Sequence, residues 1–179
     1  MSRVRIVGGE WRSRLIDVAN VPGLRPTPDR VRETLFNWLG QDLTGRACLD
    51  LFGGSGILGF EAASRGASAV TIVEHDPRAF AALRQAAITL DAARVEVIRG
   101  DAVRFAQNAS KQFDVVFLDP PYKQGWLARL EPWLERVLKP DGWLYAESEA
   151  PVTGLGAWRT TKQGRAGQVH FHLLERRQE

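Results

Sequence analysis

Two rhythms of apolar and polar positions divide the chain. Residues 3–18 alternate weakly around Gly8-Gly9, which predicts a short β-hairpin. A loop containing proline and glycine follows over 19–26. Thr27-Pro28 then reads as a helix start, with Thr27 as N-cap and Pro28 at the first helical position. Val31, Leu35 and Trp38 fall on one face of that helix, and Gly40 closes it. From residue 46 short apolar runs alternate with helical stripes. Ala47 to Phe52, Ala69 to Glu74, Val95 to Ile98, Phe113 to Leu118 and Gly142 to Glu147 read as buried strands. Between them, Ser55 to Arg65, Pro77 to Leu90 and a short stretch after Asp101 read as helices. A stripe of Leu127, Leu130, Leu134, Val137 and Leu138 marks a further helix over 126–138, which Pro132 must kink or divide. Runs at Trp158 to Lys162 and Val169 to Leu174 look like a closing hairpin.

Strands alternating with helices predict an α/β fold, a parallel sheet with helices on both faces. In such sheets ligands gather at the C-terminal ends of the strands. Chemistry is therefore expected just after Phe52, Glu74, Ile98 and Leu118, and each place carries suggestive residues.

The first strand runs into Asp50-Leu51-Phe52-Gly53-Gly54-Ser55-Gly56. Glycines allow close backbone approach to a ligand, and such a turn at a helix start suits a pyrophosphate. The dinucleotide spacing of three glycines is absent, and Asp50 would repel a pyrophosphate. A carboxylate there suits a ligand with an amino-acid ammonium, such as S-adenosylmethionine. The plain alternative is a tight strand-to-helix turn. Glu74, 24 residues after Asp50, can accept both ribose hydroxyl hydrogen bonds. His75 follows it. Asp101, before Ala102, can accept from an adenine amino group. Asp101 and Asp76 also stand where helix N-caps belong.

The fourth strand ends in Asp119-Pro120-Pro121-Tyr122, the most specific feature of the chain. Two prolines stiffen the turn and leave the Pro120 carbonyl free beside the Asp119 carboxylate. Two fixed acceptors match the two N–H groups of a nucleobase amine. Tyr122 offers a ring for base stacking, worth about 1–3 kcal/mol. An exocyclic amine is a poor nucleophile because its lone pair is delocalised into the ring. Acceptors on both N–H groups draw the nitrogen toward a tetrahedral geometry and meet the positive charge that develops on it. The plain alternative is a structural Asp in a proline turn.

Charge adds a possible partner. The net charge is only +3, but residues 1–32 hold seven arginines against Glu10, Asp17 and Asp29, so that segment is +4 and the rest −1. A basic arm on a near-neutral body suits a polyanion, and Arg3, Arg5, Arg12, Arg14, Arg25 and Arg30 are the candidate RNA contacts. A solvated charged surface is the bland reading. A length of 179 residues with 44% hydrophobic and 25% charged residues fits one soluble core. No apolar run reaches membrane-span length, and the basic start leads into no signal core, so a cytoplasmic location is expected. The single cysteine, Cys48, excludes an internal disulfide and reads as a buried small residue.

At these residues the chain resembles the bacterial 16S rRNA guanine-N2 methyltransferases of the RsmD type. The opening Arg5-Ile6-Val7-Gly8-Gly9-Glu10-Trp11-Arg12 is similar. So are Gly23-Leu24-Arg25-Pro26-Thr27, the run Asp29 to Leu39, and the tail Ala166-Gly167-Gln168-Val169. The resemblance implies a doubly wound, Rossmann-like α/β fold with a seven-stranded methyltransferase sheet and a small N-terminal β-hairpin extension. It implies a basic hairpin arm and loop over 1–26 and a methyltransferase domain over 27–179. It implies methylation of N2 of one guanine of small-subunit rRNA, guanine 966, with S-adenosyl-L-methionine as donor and no metal. The partner would be 16S rRNA, in the small ribosomal subunit or an assembly intermediate, and the protein a monomer. Asp50, Phe52, Gly53, Gly54, Ser55, Gly56, Glu74, His75, Asp101 and Ala102 would hold the cofactor. Asp119, Pro120, Pro121 and Tyr122 would hold the guanine amine. Tyr122 stands where the family often has Phe, and either ring can stack.

Three other readings compete. A DNA adenine-N6 methyltransferase shares the glycine loop and proline motif, but residues 123–179 leave no room for a duplex-reading domain. A protein-glutamine methyltransferase usually has Asn before the two prolines. A non-enzymatic RNA-binding module would use the arm alone. His170 and His172 share a strand face but lack a third ligand, so they read as a surface strand pair. Trp11 and Trp126 are candidates to flank the substrate.

Overall fold

A computed structural model of the chain describes residues 2–177; Met1 of the basic start lies outside them. The hairpin predicted around Gly8-Gly9 forms from β1 (Ser2–Arg5) and β2 (Leu15–Val18), paired antiparallel as a separate two-stranded sheet. Helix α1 (Asp29–Leu39) buries Val31, Leu35, Phe36 and Leu39 on one face, the 3.6-residue period at work. Its start differs from the expected one. Pro28 occupies the N-cap position, and no side chain caps the helix. The Thr27 hydroxyl is directed elsewhere, to Asp119.

The main sheet is built from β3 (Ala47–Asp50), β4 (Ala69–Glu74), β5 (Val95–Arg99), β6 (Phe113–Leu118), β7 (Leu138–Ser148), β8 (Gly154–Leu155), β9 (Trp158–Ala166) and β10 (Val169–Arg176). Their order across the sheet is β5-β4-β3-β6-β7-β10-β9-β8. The five strands β3 to β7 run parallel, and β10, β9 and β8 close the sheet antiparallel. Seven of these correspond to the expected strands. The eighth, β8, is a two-residue edge that pairs with β9, too short to leave an apolar signature.

Helices α2 (Ile57–Ser64), α3 (Pro77–Thr89), α4 (Ala102–Asn108), α5 (Trp126–Leu130) and α6 (Leu134–Val137) connect the strands. Pro132 sits in a 3₁₀ turn, Glu131–Trp133, that divides α5 from α6, as its missing N–H requires. Strand residues alternate between two cores. Cys48, Val115, Phe117 and Tyr145 face a core shared with α1, α2, α3 and the hairpin. Leu49, Val116, Leu118, Leu144 and Ala146 face the core of α4 to α6.

The hairpin is rooted in the first of these cores. Val4, Ile6, Trp11, Ile16 and Val18 are all buried there, so Trp11 is an anchor and not a substrate-flanking ring. Every residue of α2 is buried, because the sheet covers one side and the hairpin the other. Glu61, on that helix, accepts from the Val7 N–H, from Arg32 at 2.8 Å and from Arg65 at 3.1 Å. Arg32 is 0% exposed. It also donates to the Thr27 and Arg5 carbonyls and pairs with Asp29. One of the seven arginines of the basic segment is therefore a buried clamp between hairpin, loop and body. No helix among the described residues is long and apolar enough to cross a membrane.

Candidate active site

The parallel strands β3, β4, β5 and β6 bring their C-terminal ends to one edge of the sheet, and the predicted residues converge there. Asp50 ends β3 with 2% exposure. Its carboxylate accepts from the Phe52 N–H at 3.2 Å. Burial pushes its pKa well up, and the charged neighbours that raise it further, Asp119 and Glu74, are both acids. Glu74 ends β4, 7% exposed. One oxygen accepts from the Gly54 N–H and the other from the Asp76 N–H, each at 2.8 Å. The exposed His75 ring lies 3.2 Å from the second oxygen. Glu74 thus braces the glycine loop from below.

The loop glycines divide by role. A Cβ on Gly53 would lie 2.7 Å from Ile72 and 2.9 Å from Leu83. A Cβ on Gly56 would lie 2.3 Å from Leu83 and 2.7 Å from Phe60, and its φ is +79°. At both positions the close approach is to the protein's own side chains, on β4 and α3 at Gly53 and on α3 and α2 at Gly56. Gly54 differs. Its φ is +53°, but a Cβ would meet only the Phe52 carbonyl, at 3.8 Å. The open face of the loop is at Gly54. Ser55 is buried, and its hydroxyl accepts from the Ile57 N–H at 3.3 Å. Phe52 packs edge-on against Trp126, ring centroids 5.3 Å apart, and Arg129 lies 3.9 Å over the Trp126 ring. Asp101 follows β5 and caps α4 by accepting from the Arg104 N–H at 3.0 Å, and Asp76 caps α3 in the same way. Ala102 is buried in the first turn of α4.

Asp119 follows β6, partly buried, with Pro120 buried behind it and Pro121 at the surface. Tyr122 is 41% exposed, one of the few large rings open to solvent. The Thr27 hydroxyl donates to the Asp119 carboxylate at 3.3 Å. Burial is the main cause that raises the Asp119 pKa. A second acid, absent from the sequence-predicted set, stands beside it. Glu147 on β7 is 5% exposed, stands beside Asp119 on the neighbouring strand, and accepts from the Tyr145 hydroxyl at 2.7 Å. Burial, then the Asp119 charge, push its pKa well above the usual carboxylate range. Thr27, Tyr145 and Glu147 are the residues the sequence reading missed. The strand-end rule that singled out Glu74 would have singled out Glu147 too, since it closes the expected fifth strand.

The remaining candidates scatter. Arg3 pairs with Asp17, Arg5 donates to the Ser13 carbonyl, and Arg14 donates to the Thr89 carbonyl. Arg12, Arg25 and Arg30 are exposed. His172 is not a surface residue. It is fully buried, with Nδ1 at 2.9 Å from the Ala146 carbonyl and Nε2 accepting from the Val152 N–H at 3.0 Å. That pairing fixes the neutral tautomer, and burial lowers its pKa. Among the described residues no three His, Cys, Asp or Glu side chains are arranged to hold a metal ion. Burial pushes the Cys48 thiol up to about 12, which makes it inert.

Comparison with known proteins gives a consistent result over the whole fold. The family model described as Conserved hypothetical protein 95 matches residues 4–175. Ribosomal RNA small subunit methyltransferase D of Escherichia coli K12 is 39% identical, over 97% of this chain and 90% of that protein. The Haemophilus influenzae protein of the same name is 41% identical, over 96% of this chain and 93% of its own length. The solved structure of the putative methyltransferase YhhF from Escherichia coli superposes with a TM-score of 0.89 and 39% identity, covering 99% of this chain and all of that one. The chain belongs to the Conserved hypothetical protein 95 family, the family of ribosomal RNA small subunit methyltransferase D.

Proposed function

We propose that the chain is an S-adenosylmethionine-dependent methyltransferase that modifies the exocyclic N2 of one guanine in small-subunit rRNA. The observation that carries this reading is the Asp119-Pro120-Pro121-Tyr122 turn at the end of β6, one strand away from the glycine loop. Full-length relatives named as small-subunit rRNA methyltransferases support the substrate class.

The residues at the sheet edge fit a cationic cofactor. Asp119 and Glu74 add to the cost of charging the buried Asp50, and a ligand with a sulfonium and an ammonium relieves it. The open face at Gly54 gives room for its amino-acid end, and Glu74 stands where a ribose would be gripped. When bound, S-adenosylmethionine supplies an electrophilic methyl group. The chain's own part is to hold the amine. Asp119 and the Pro120 carbonyl accept its two N–H bonds, and Tyr122 stacks on the base. The carboxylate is fixed before the positive charge appears on nitrogen, so little reorganisation opposes it. A guanine in a loop or single strand reaches Asp119 more cheaply than one in a helix, because it need not leave a paired stack. Arg12 on the hairpin, Arg25 on the loop and Arg30 at the start of α1, all exposed, supply phosphate contacts.

Mass mapping of 16S rRNA from a strain lacking the gene tests the proposal. Loss of a single N2-methylguanine, restored by the wild-type gene and not by an Asp119→Ala copy, is the expected result. An unchanged rRNA methylation pattern would overturn it.

A further inference from the structure

The pair at the end of β6 and β7 has a use beyond holding an amine directly. The parallel register Phe117↔Tyr145 and Leu118↔Ala146 continues to Asp119 beside Glu147. Both acids follow residues of the first core, Phe117 and Tyr145, and so point toward the segment before α1, where Thr27 lies. On the other side of β7, the register partner of Glu147 on β10 is Phe171, which carries no charge. The groups that face Glu147 are therefore Asp119, the Tyr145 and Thr27 hydroxyls and, at the turn, Tyr122. Glu149 lies further out, where it accepts from the Lys123 N–H.

We propose that Glu147 is a positioning residue for Asp119, held protonated so that its carboxyl O–H donates to the Asp119 carboxylate. The Tyr145 hydroxyl donates to Oε1 of Glu147 and orients that carboxyl. The Thr27 hydroxyl donates to Oδ2 of Asp119. Asp119 is then gripped by two donors and keeps lone pairs for the amine. Two neighbouring buried carboxylates cannot both ionise cheaply, so a single proton stays between them. Burial and the Asp119 charge act in that direction on Glu147. The arrangement gives one negative charge at the amine site, in a fixed place. The inference rests on the reading of Asp119 as the acceptor of the amine.

The test compares Glu147→Gln, Glu147→Leu and Asp119→Ala by single-turnover methylation of an rRNA fragment across pH. Glutamine keeps a donor toward Asp119 at every pH, so Glu147→Gln should retain at least a tenth of the parent rate. The parent rate should fall at alkaline pH as the pair gives up its shared proton, and Glu147→Gln should lack that fall. Glu147→Leu should lose 100-fold or more in rate with RNA and cofactor KM within a few-fold of the parent. Stability supplies a readout that needs no activity. A carboxyl whose folded pKa lies above its ordinary value of 4.5 costs stability as pH rises through that interval. Glu147→Gln should therefore gain stability relative to the parent as pH rises above 4.5. If Asp119→Ala is inactive but Glu147→Leu turns over at the parental rate, the positioning role is wrong while the Asp119 reading survives. If the alkaline limb persists in Glu147→Gln, the proton belongs elsewhere and the proposal fails. If Asp119→Ala is fully active, the amine-site reading itself fails.

Discussion

Replacing Glu74 by alanine separates two jobs of one carboxylate, the loop bracing seen in the structure and the ribose grip we propose. Its two oxygens accept from Gly54 and Asp76, both at 2.8 Å. Removing them leaves two backbone N–H groups without partners at a site that is 7% exposed. Each such group costs about 1–3 kcal/mol when desolvated, and water entering the vacated volume brings the sum to roughly 2–3 kcal/mol. For a domain of this size about 2–4 °C accompanies each kcal/mol, so the melting temperature should fall by roughly 4–12 °C. The second job is the ribose clamp. Two hydrogen bonds to a charged acceptor are worth about 1.5–3 kcal/mol, a rise in the S-adenosylmethionine Kd of roughly 10- to 150-fold. Calorimetric titration well below the melting temperature reads the affinity, and thermal unfolding of the ligand-free protein reads the bracing. Glu74→Gln sharpens the result. Its oxygen can still accept from Gly54, but its NH₂ then faces the Asp76 N–H, so part of both losses should remain. Cofactor affinity within threefold of the parent in Glu74→Ala would refute the ribose role. A large loss of affinity with an unchanged melting temperature would refute the bracing of the loop.

The remaining predictions concern the amine site, the clamp and the arm. Asp119→Ala should lower methyl transfer by more than 100-fold and leave S-adenosylmethionine affinity within a few-fold, while Asp119→Asn keeps more activity because its amide oxygen still accepts; loss of cofactor binding in the alanine variant would remove Asp119 from the substrate side. Glu61→Ala should cost about 3–5 kcal/mol in urea unfolding, because it strands the buried Arg32 charge and the Val7 N–H, and a loss under about 1 kcal/mol would show that Asp29 alone satisfies Arg32. Each of Arg12→Ala, Arg25→Ala and Arg30→Ala should lessen the salt dependence of rRNA binding by about 0.7–0.9 in log–log slope, and an unchanged slope would place the RNA surface elsewhere.

The alternation of apolar strands and striped helices made the parallel sheet legible, because buried strands between helices have few other uses. The strand ends then located Asp50, Glu74, Asp101 and Asp119 without any knowledge of contacts. What was not legible is what each polar atom bonds. Thr27 before Pro28 looks like a helix cap, and only the tertiary fold turns its hydroxyl to Asp119, 92 residues away. Arg32 looks like one more basic residue of an arm, because a buried arginine has the same letter as a solvated one. Its partner Glu61 lies on a helix buried all round, a state that depends on the hairpin folding over it. The glycines at 53 and 56 suggest ligand approach, but in both cases the space is taken by Ile72, Leu83 or Phe60, which no local pattern announces. His172 likewise gives no sign in the strand pattern that Ala146 and Val152 satisfy both ring nitrogens.

The buried clamp changes what the basic segment can be. A free arm would find RNA phosphates by adapting its shape, at an entropic cost paid on binding. Here the Trp11 N–H is held by the Ser64 hydroxyl at 2.9 Å and the Glu10 N–H by the Ser64 carbonyl at 2.8 Å. Glu61 holds Val7, and Arg32 ties Arg5, Thr27 and Asp29 to the same helix. The hairpin that carries Arg12 is therefore fixed to α2, and Thr27, two residues before α1, donates to the Asp119 carboxylate. Phosphate contacts on such a rigid surface would set the register of the RNA backbone relative to Asp119, and so select which nucleotide reaches it as well as adding affinity. A substitution that loosens the clamp without touching an exposed arginine, such as Glu61→Gln, should for this reason relax the choice of guanine more than it weakens RNA binding. Sequencing the methylated positions on a mixed pool of rRNA fragments reads that choice directly, and unchanged selectivity with a loosened hairpin would show that the register is set by contacts outside residues 2–32.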